Sequence, residues 1–188
     1  VKLLLSYTPD SSPKKRQLAI RELPTAVNHG CVKLVDIFLN EIDDATKKQM
    51  AEDLLPTSIV NGHVAVTEHL FKIIPEKERK LIIEKHMAQA IQRNKPVILE
   101  LLFQFVGDEK LDSKKRSEVA QGLFHWAHTD PKHFDCLKVL FFNLRGEAKA
   151  KFAEKYLPSD AFFLCFGIFF LMIANSENPP FFQHTYFD

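Results

Sequence analysis

Three histidines and a cysteine fall within one short stretch, HWAHTDPKHFDC: His125, His128, His133 and Cys136, with Asp130 and Asp135 among them. Imidazole and thiolate are the commonest zinc ligands, and His125 and His128, at i and i+3, would share a helix face. The same residues have a second reading. His125 and His128 flank a small residue, Ala127, and Cys136 heads an apolar stripe continued by Val139 and Leu140. That stripe predicts a thiol turned into a core while the histidines stay near a break in the chain. No metal and no cofactor is therefore expected.

A second possible pairing is Cys31 with His29, a thiol and a base separated by Gly30. Residues so close in sequence seldom direct both side chains at one reacting atom, and no Asn or Asp partner motif accompanies them. The 6 glycines are scattered, which leaves no phosphate-cradling loop and no strand-turn-helix elbow around a serine. Carboxylates are frequent, but they stand at i+3 or i+4 from a basic partner, as in Glu76/Arg79/Lys80, the pattern of a solvated helix face. The sequence assigns no catalytic residue, and the chain reads as a non-enzyme.

What must position any functional residue is a set of helices. The chain has 188 residues, enough for one domain or a short repeat array. It is 46% hydrophobic and 26% charged, as soluble globular proteins are. A net charge of +1 argues against a nucleic-acid or anionic-membrane binder, which would carry a basic excess. Cys31, Cys136 and Cys165 are odd in number and far apart within apolar runs. They fit packed thiols in a reducing, cytoplasmic compartment. Few glycines with many straight-chain and apolar residues favour an all-α fold. The chain opens on Val1 inside an apolar run, which reads as a piece excised from a longer protein.

The chain repeats itself. LPTAVNHGCVKLVDIFLNEI at 23–42 and LPTSIVNGHVAVTEHLFKII at 55–74 share six of twenty positions, with Gly30 and Gly62 aligned. The same step taken again from Gly62 reaches Asn94, with Met87, Ala90 and Leu102/Phe103 at the offsets of Leu55, Ser58 and Leu70/Phe71. A fourth copy surrounds Pro131, with Phe124, Ala127 and, after a slip of a single position, Leu140/Phe141. The opening VKLLLSY matches the end of one unit, Leu5 preceding Leu39 by little more than the same step. Each unit predicts a short helix, a break at the glycine or its substitute, and a second amphipathic helix. Between them lie charged helical stretches at 43–55, 75–86, 112–124 and 146–157. Pro24, Pro56 and Pro158 are expected to divide the charged helix from the short one. The third copy lacks such a proline, so 76–93 is expected to run as one helix. Ala26, Ser58, Ala90 and Ala127 are expected at a seam too tight for larger side chains.

The segment LPTSIVNGHVAVTEHLFKII resembles the core of an ankyrin repeat, whose helices read roughly Leu-His-Leu-Ala-Ala-x-x-Gly-His and Val-Val-x-x-Leu-Leu. Gly62-His63, Val66 and Leu70/Phe71 match it, as do Gly30, Leu34/Val35 and Phe38/Leu39. The resemblance spans roughly residues 1–145. It lacks the Thr-Pro-Leu-His helix start, and charged helices replace the Gly-rich turn between units. A degenerate ankyrin-like helical-repeat solenoid over 1–157 is the expected fold, with a HEAT or armadillo-type hairpin array as the alternative. Phe- and Lys-rich degenerate arrays of this kind are similar to those of effectors that intracellular bacteria deliver into host cells. By that analogy the partner is a host protein and the working compartment the host cytoplasm.

Stacked repeats recognise partners through residues that vary at helix ends and turns. Here these are Asn28, His29, Asn61, His63, Gln92, Arg93, His128 and Asp130. The expected function is a non-catalytic protein–protein interaction module. The alternative is the substrate-docking region of a larger enzyme whose catalytic domain lies outside this sequence. Residues 158–188 read as an apolar capping helix followed by an aromatic tail. The run AFFLCFGIFFLMIA at 161–174 would extend about 21 Å as a helix, short of the roughly 30 Å hydrocarbon core of a bilayer. It predicts no membrane span; cover by the tail and self-association through 161–188 are expected instead.

Overall fold

The computed structural model describes residues 13–106, 113–127, 131–145 and 148–151. The chain divides into two compact units, Val1–Leu144 and Arg145–Asp188, and the described helices α1 to α8 all belong to the first. They are α1 (Pro13–Asn28), α2 (Val32–Leu39), α3 (Asp44–Asn61), α4 (Val64–Ile73), α5 (Glu76–Gln92), α6 (Pro96–Gln104), α7 (Ser113–Ala127) and α8 (Phe134–Asn143), the last entered through a 3₁₀ turn at Pro131–His133. Residues 148–151, in the second unit, are also helical. No strand occurs among the described residues, so the fold is all-α as expected. The apolar segment 161–174 and the tail lie outside them. Among the described residues no helix is long and apolar enough to cross a membrane.

The helices pack as consecutive pairs, α1 with α2, α3 with α4, α5 with α6 and α7 with α8. Each pair also touches the next through like helices. The longer α1, α3, α5 and α7 are successive neighbours in one layer, and α2, α4, α6 and α8 in another.

The interval that separates Gly30 from Gly62 in the sequence reappears as a series of buried positions. Ala19/Ala51/Ile83, Leu23/Leu55/Met87 and Val27/Ile59/Ile91 line the longer helices, and Phe38/Leu70/Leu102, Leu39/Phe71/Phe103 and Ile42/Ile74/Val106 the shorter. The small residues Ala26, Ser58, Ala90 and Ala127 are all buried, as the sequence predicts. Ser58 satisfies its hydroxyl there, donating to Leu55 O at 2.8 Å and meeting Thr67 Oγ1 at 3.0 Å. Each fully buried Leu or Phe stabilises by roughly 1.5–3 kcal/mol, whereas an exposed ion pair contributes about 0–1 kcal/mol. The shared core therefore decides the fold.

Two helix starts carry recognisable end signals. The Asp43 carboxylate caps α3 by accepting from Thr46 N at 3.0 Å, and α5 begins directly after Pro75 with Glu76 and Glu78 in its first turn. The expectation for the prolines is corrected. Pro24 and Pro56 do not divide helices but lie inside α1 and α3. Each removes the bond to the carbonyl one turn back, at Ile20 or Glu52, a loss that costs about 3 kcal/mol in a helix interior. Pro24 is exposed and Pro56 half-buried. Buried Leu23 and Val27, and Leu55 and Ile59, hold the helix on the opposite side. The helix expected at 76–93 forms as Glu76–Gln92; Pro158 lies outside the described residues.

Candidate functional site

The first three pairs turn in the same way. Gly30 and Gly62 have φ of 68° and 80°, and Asn94, at the third position of the series, has φ of 47°. All three sit in the left-handed region, where glycine is unstrained and asparagine the usual substitute. The backbone closes identically around them. Gly30 N donates to Val27 O and Cys31 N to Ala26 O; Gly62 N to Ile59 O and His63 N to Ser58 O; Asn94 N to Ile91 O and Lys95 N to Ala90 O. This is the Schellman closure of a helix C-terminus. The carbonyls that the residue after each turn reaches are those of Ala26, Ser58 and Ala90.

The turns bring most of the expected recognition residues to the same ends of the helix pairs. Asn28 ends α1, Asn61 ends α3 and Gln92 ends α5; His29, His63 and Arg93 stand at or beside the turns. Three of them hold neighbouring turns together. Asn61 Nδ2 donates to Asn28 Oδ1 at 2.9 Å and lies 3.3 Å from Asn28 O, which also accepts from His63 Nε2 at 2.9 Å. The His63 ring lies over Gly30 so closely that a Cβ there would stand 2.6 Å from its Nδ1. Lys95 covers Gly62 in the same manner, with Nζ 3.2 Å from the position of a Cβ. His29, Gln92 and Arg93 are exposed. His128 and Asp130 lie outside the described residues.

The two chemical pairings raised by the sequence are placed as follows. The His29 ring donates from Nδ1 to Thr25 O at 2.8 Å, and the Cys31 thiol donates to the His29 carbonyl at 3.8 Å, so thiol and imidazole do not meet. Cys136 is fully buried, as its stripe predicts, and donates to Asn94 Oδ1 at 3.7 Å. Burial, reinforced by Asp135, pushes its pKa up to about 12, so it stays a thiol at neutral pH and is a poor nucleophile or ligand. His133 is buried, and among the described residues neither ring nitrogen has a hydrogen-bond partner. Among the described residues no group of three His, Cys, Asp or Glu side chains is placed to hold a metal ion.

A second polar register runs along the longer helices and was not read from the sequence. Arg16 of α1 pairs with Asp43, and its guanidinium donates to Thr46 Oγ1 at 3.1 Å. Lys48 of α3 pairs with Glu78 of α5 at 2.6 Å. Arg16 and Lys48 are separated by the Gly30-to-Gly62 interval, as are Thr46 and Glu78, so one cross-helix contact is made twice. Its electrostatics follow: the Thr46 amide and hydroxyl, with Arg16 behind them, hold Asp43 below the ordinary carboxylate range. Lys48 lowers Glu78, while burial and the nearby Glu78 raise Glu52. The signal was available in the repeat offsets, as it was for Lys95, the counterpart of Cys31 and His63.

Compared with family models, with curated proteins and with solved structures, the chain matches none.

Proposed function

We propose that the chain is a protein–protein interaction module: a stack of ankyrin-like helix pairs that binds a partner protein through its turn ends and performs no chemistry of its own. One observation supports this above the others. The buried residues and the turn geometry recur from pair to pair at one fixed interval, while the exposed residues at the turns differ: His29 in the first pair, Gln92 and Arg93 in the third. A repeated scaffold with unrepeated polar ends is what recognition by stacked helix pairs requires. Imidazole, amide and guanidinium groups there offer donors and acceptors for a polar peptide surface, with Arg able to grip a carboxylate in two places. The similarity to effector arrays suggests a host-cell protein as that partner.

The test is capture of a host protein by the wild-type chain and by a chain carrying His29→Ala, Gln92→Ala and Arg93→Ala together, with helicity and unfolding midpoint compared first. The expected result is a partner retained by wild type and lost by the equally folded triple variant. Retention at equal yield overturns the assignment of these residues. Asn28, Asn61 and His63 are left unchanged because they also join neighbouring turns.

A further inference from the structure

The longer helices α5 and α7 leave between their middle turns a cleft of about 510 Å³. It is open because a small residue lines it on either side, Ala88 on α5 and Gly122 on α7. A Cβ added at Gly122 would meet nothing within 4 Å, so an empty seat lies directly above that residue. Glycine in a helix interior destabilises the helix relative to alanine, and no described side chain fills the space it leaves. The rim is charged. Glu84 and Lys85 stand on α5, Lys115 and Glu118 on α7; all four are exposed, and none makes an ion pair among the described residues. One turn before Glu84 and Lys85 stands Leu81, 82% exposed, more than any other large apolar residue described. Its spacing from Glu84, Lys85 and Ala88 places it on their face of α5.

We propose that the cleft binds a second copy of this chain in a two-fold dimer, with Leu81 of each copy seated over Gly122 of the other. The register follows from the repeat. Phe124 and Ala127 take the places of Met87 and Ala90, which sets Gly122 level with Lys85 and Glu118 level with Leu81. As the first helices of successive pairs, α5 and α7 run in the same direction. A two-fold axis through the cleft therefore lays α5 of one copy antiparallel to α7 of the other. When Leu81 meets Gly122, the same rotation brings Lys85 opposite Glu118, one turn further along both helices. An apolar knob meets a hole and a lysine meets a carboxylate, each twice. Glu84 and Lys115 leave the patch without net charge, so two copies do not repel. The contact is small, one exposed leucine and one ion pair from each copy, so the dimer is weak and dissociates on dilution. It uses none of the turn-end residues assigned to partner binding, so either reading can fail without the other.

Sedimentation equilibrium of the full chain tests this. Wild type is expected to pass reversibly from monomer to dimer as its concentration rises. Gly122→Leu puts a side chain into the seat, where its Cβ enters open space in its own chain, and is expected to abolish the dimer. Leu81 is exposed in its own chain, so Leu81→Ala is expected to weaken the dimer while leaving the unfolding midpoint of the dilute protein unchanged. Lys85→Glu and Glu118→Lys should each weaken it about tenfold, because each turns two attractive pairs into repulsive ones. Mixing these two variants should restore dimerisation, since every facing pair then again opposes a lysine and a glutamate. A chain still monomeric at about 1 mM would overturn the proposal. So would mixed variants that associate no better than each alone, or a dimer unchanged by Gly122→Leu, which another surface must hold.

Discussion

The turn after α3 and the turn region before α8 meet the same requirement with different chemistry. At the first, the chain keeps its regular step. Gly62 takes the left-handed conformation, and Asn61 and His63 both reach Asn28 on the neighbouring turn. At the second, the step has slipped. A 3₁₀ turn leads into α8, a thiol meets Asn94, and His133 is buried with neither ring nitrogen partnered among the described residues. Where the interval holds, exposed polar residues pair between turns at little cost. Where it slips, a polar ring is taken from water without compensation, which costs about 1–3 kcal/mol.

The contrast can be broken most strongly at the regular end. Gly30→Val forces a β-branched residue into φ of 68° and drives its Cβ into the His63 ring. A loss of roughly 2–4 kcal/mol is expected, from the left-handed strain together with the overpacking, and urea unfolding measures it. A loss under about 1 kcal/mol would show that His63 moves aside freely. Ala90→Leu comes next. Ala90 is fully buried and its carbonyl closes the third turn, so overpacking there is expected to cost about 1–3 kcal/mol. At an exposed helix position, such as Leu81, alanine and leucine would differ little.

The irregular end predicts the opposite sign. His133→Leu replaces an unpartnered buried imidazole with an apolar side chain and is expected to stabilise by about 1–2 kcal/mol. A loss of that size would mean that the ring makes an interaction the geometry does not contain. The smallest effect concerns pH. Burial lowers the His86 pKa from its ordinary 6.5, Lys85 adding to this and Gln89 opposing it. The unfolded chain then binds a proton more readily than the folded one, so this contribution is complete above pH 6.5 and declines as pH falls toward the lower folded value. Stability measured from slightly alkaline to mildly acidic pH should fall on acidification, and less steeply in His86→Gln. Equal slopes would remove His86 from the account.

Much of the fold was legible because a buried position must stay apolar in every copy. Leu23, Leu55 and Met87 mark one such position, and Leu39, Phe71 and Phe103 another. The turn residues were equally readable, since only Gly or Asn sits easily where Gly30, Gly62 and Asn94 do. The prolines misled because buried neighbours on the same helix, Leu23 and Val27 or Leu55 and Ile59, hold it together through the missing bond, which the local sequence does not state. The candidate surface was legible only in part. That Asn61 and His63 would hydrogen-bond Asn28, leaving His29, Gln92 and Arg93 as the more open members, depends on the offset between neighbouring turns. The Arg16 and Lys48 pairs were hidden for a related reason. Charged residues at helix surfaces are common, and only their partners on the next long helix distinguish them.

The central claim, that successive helix pairs are interchangeable stacking units, is tested most directly by removing one. Deleting residues 31–62 joins Gly30 to His63, so that a left-handed glycine is again followed by the residue that precedes a short helix. The account predicts a cooperative urea transition with helicity reduced in proportion to the lost segment, and a smaller m-value because less surface is exposed on unfolding. A control deletion of half that length, 47–62, should unfold the chain because it breaks the register. If the one-unit deletion lost cooperative unfolding as completely as the half-unit deletion, the pairs would not be repeating units and the account would be wrong.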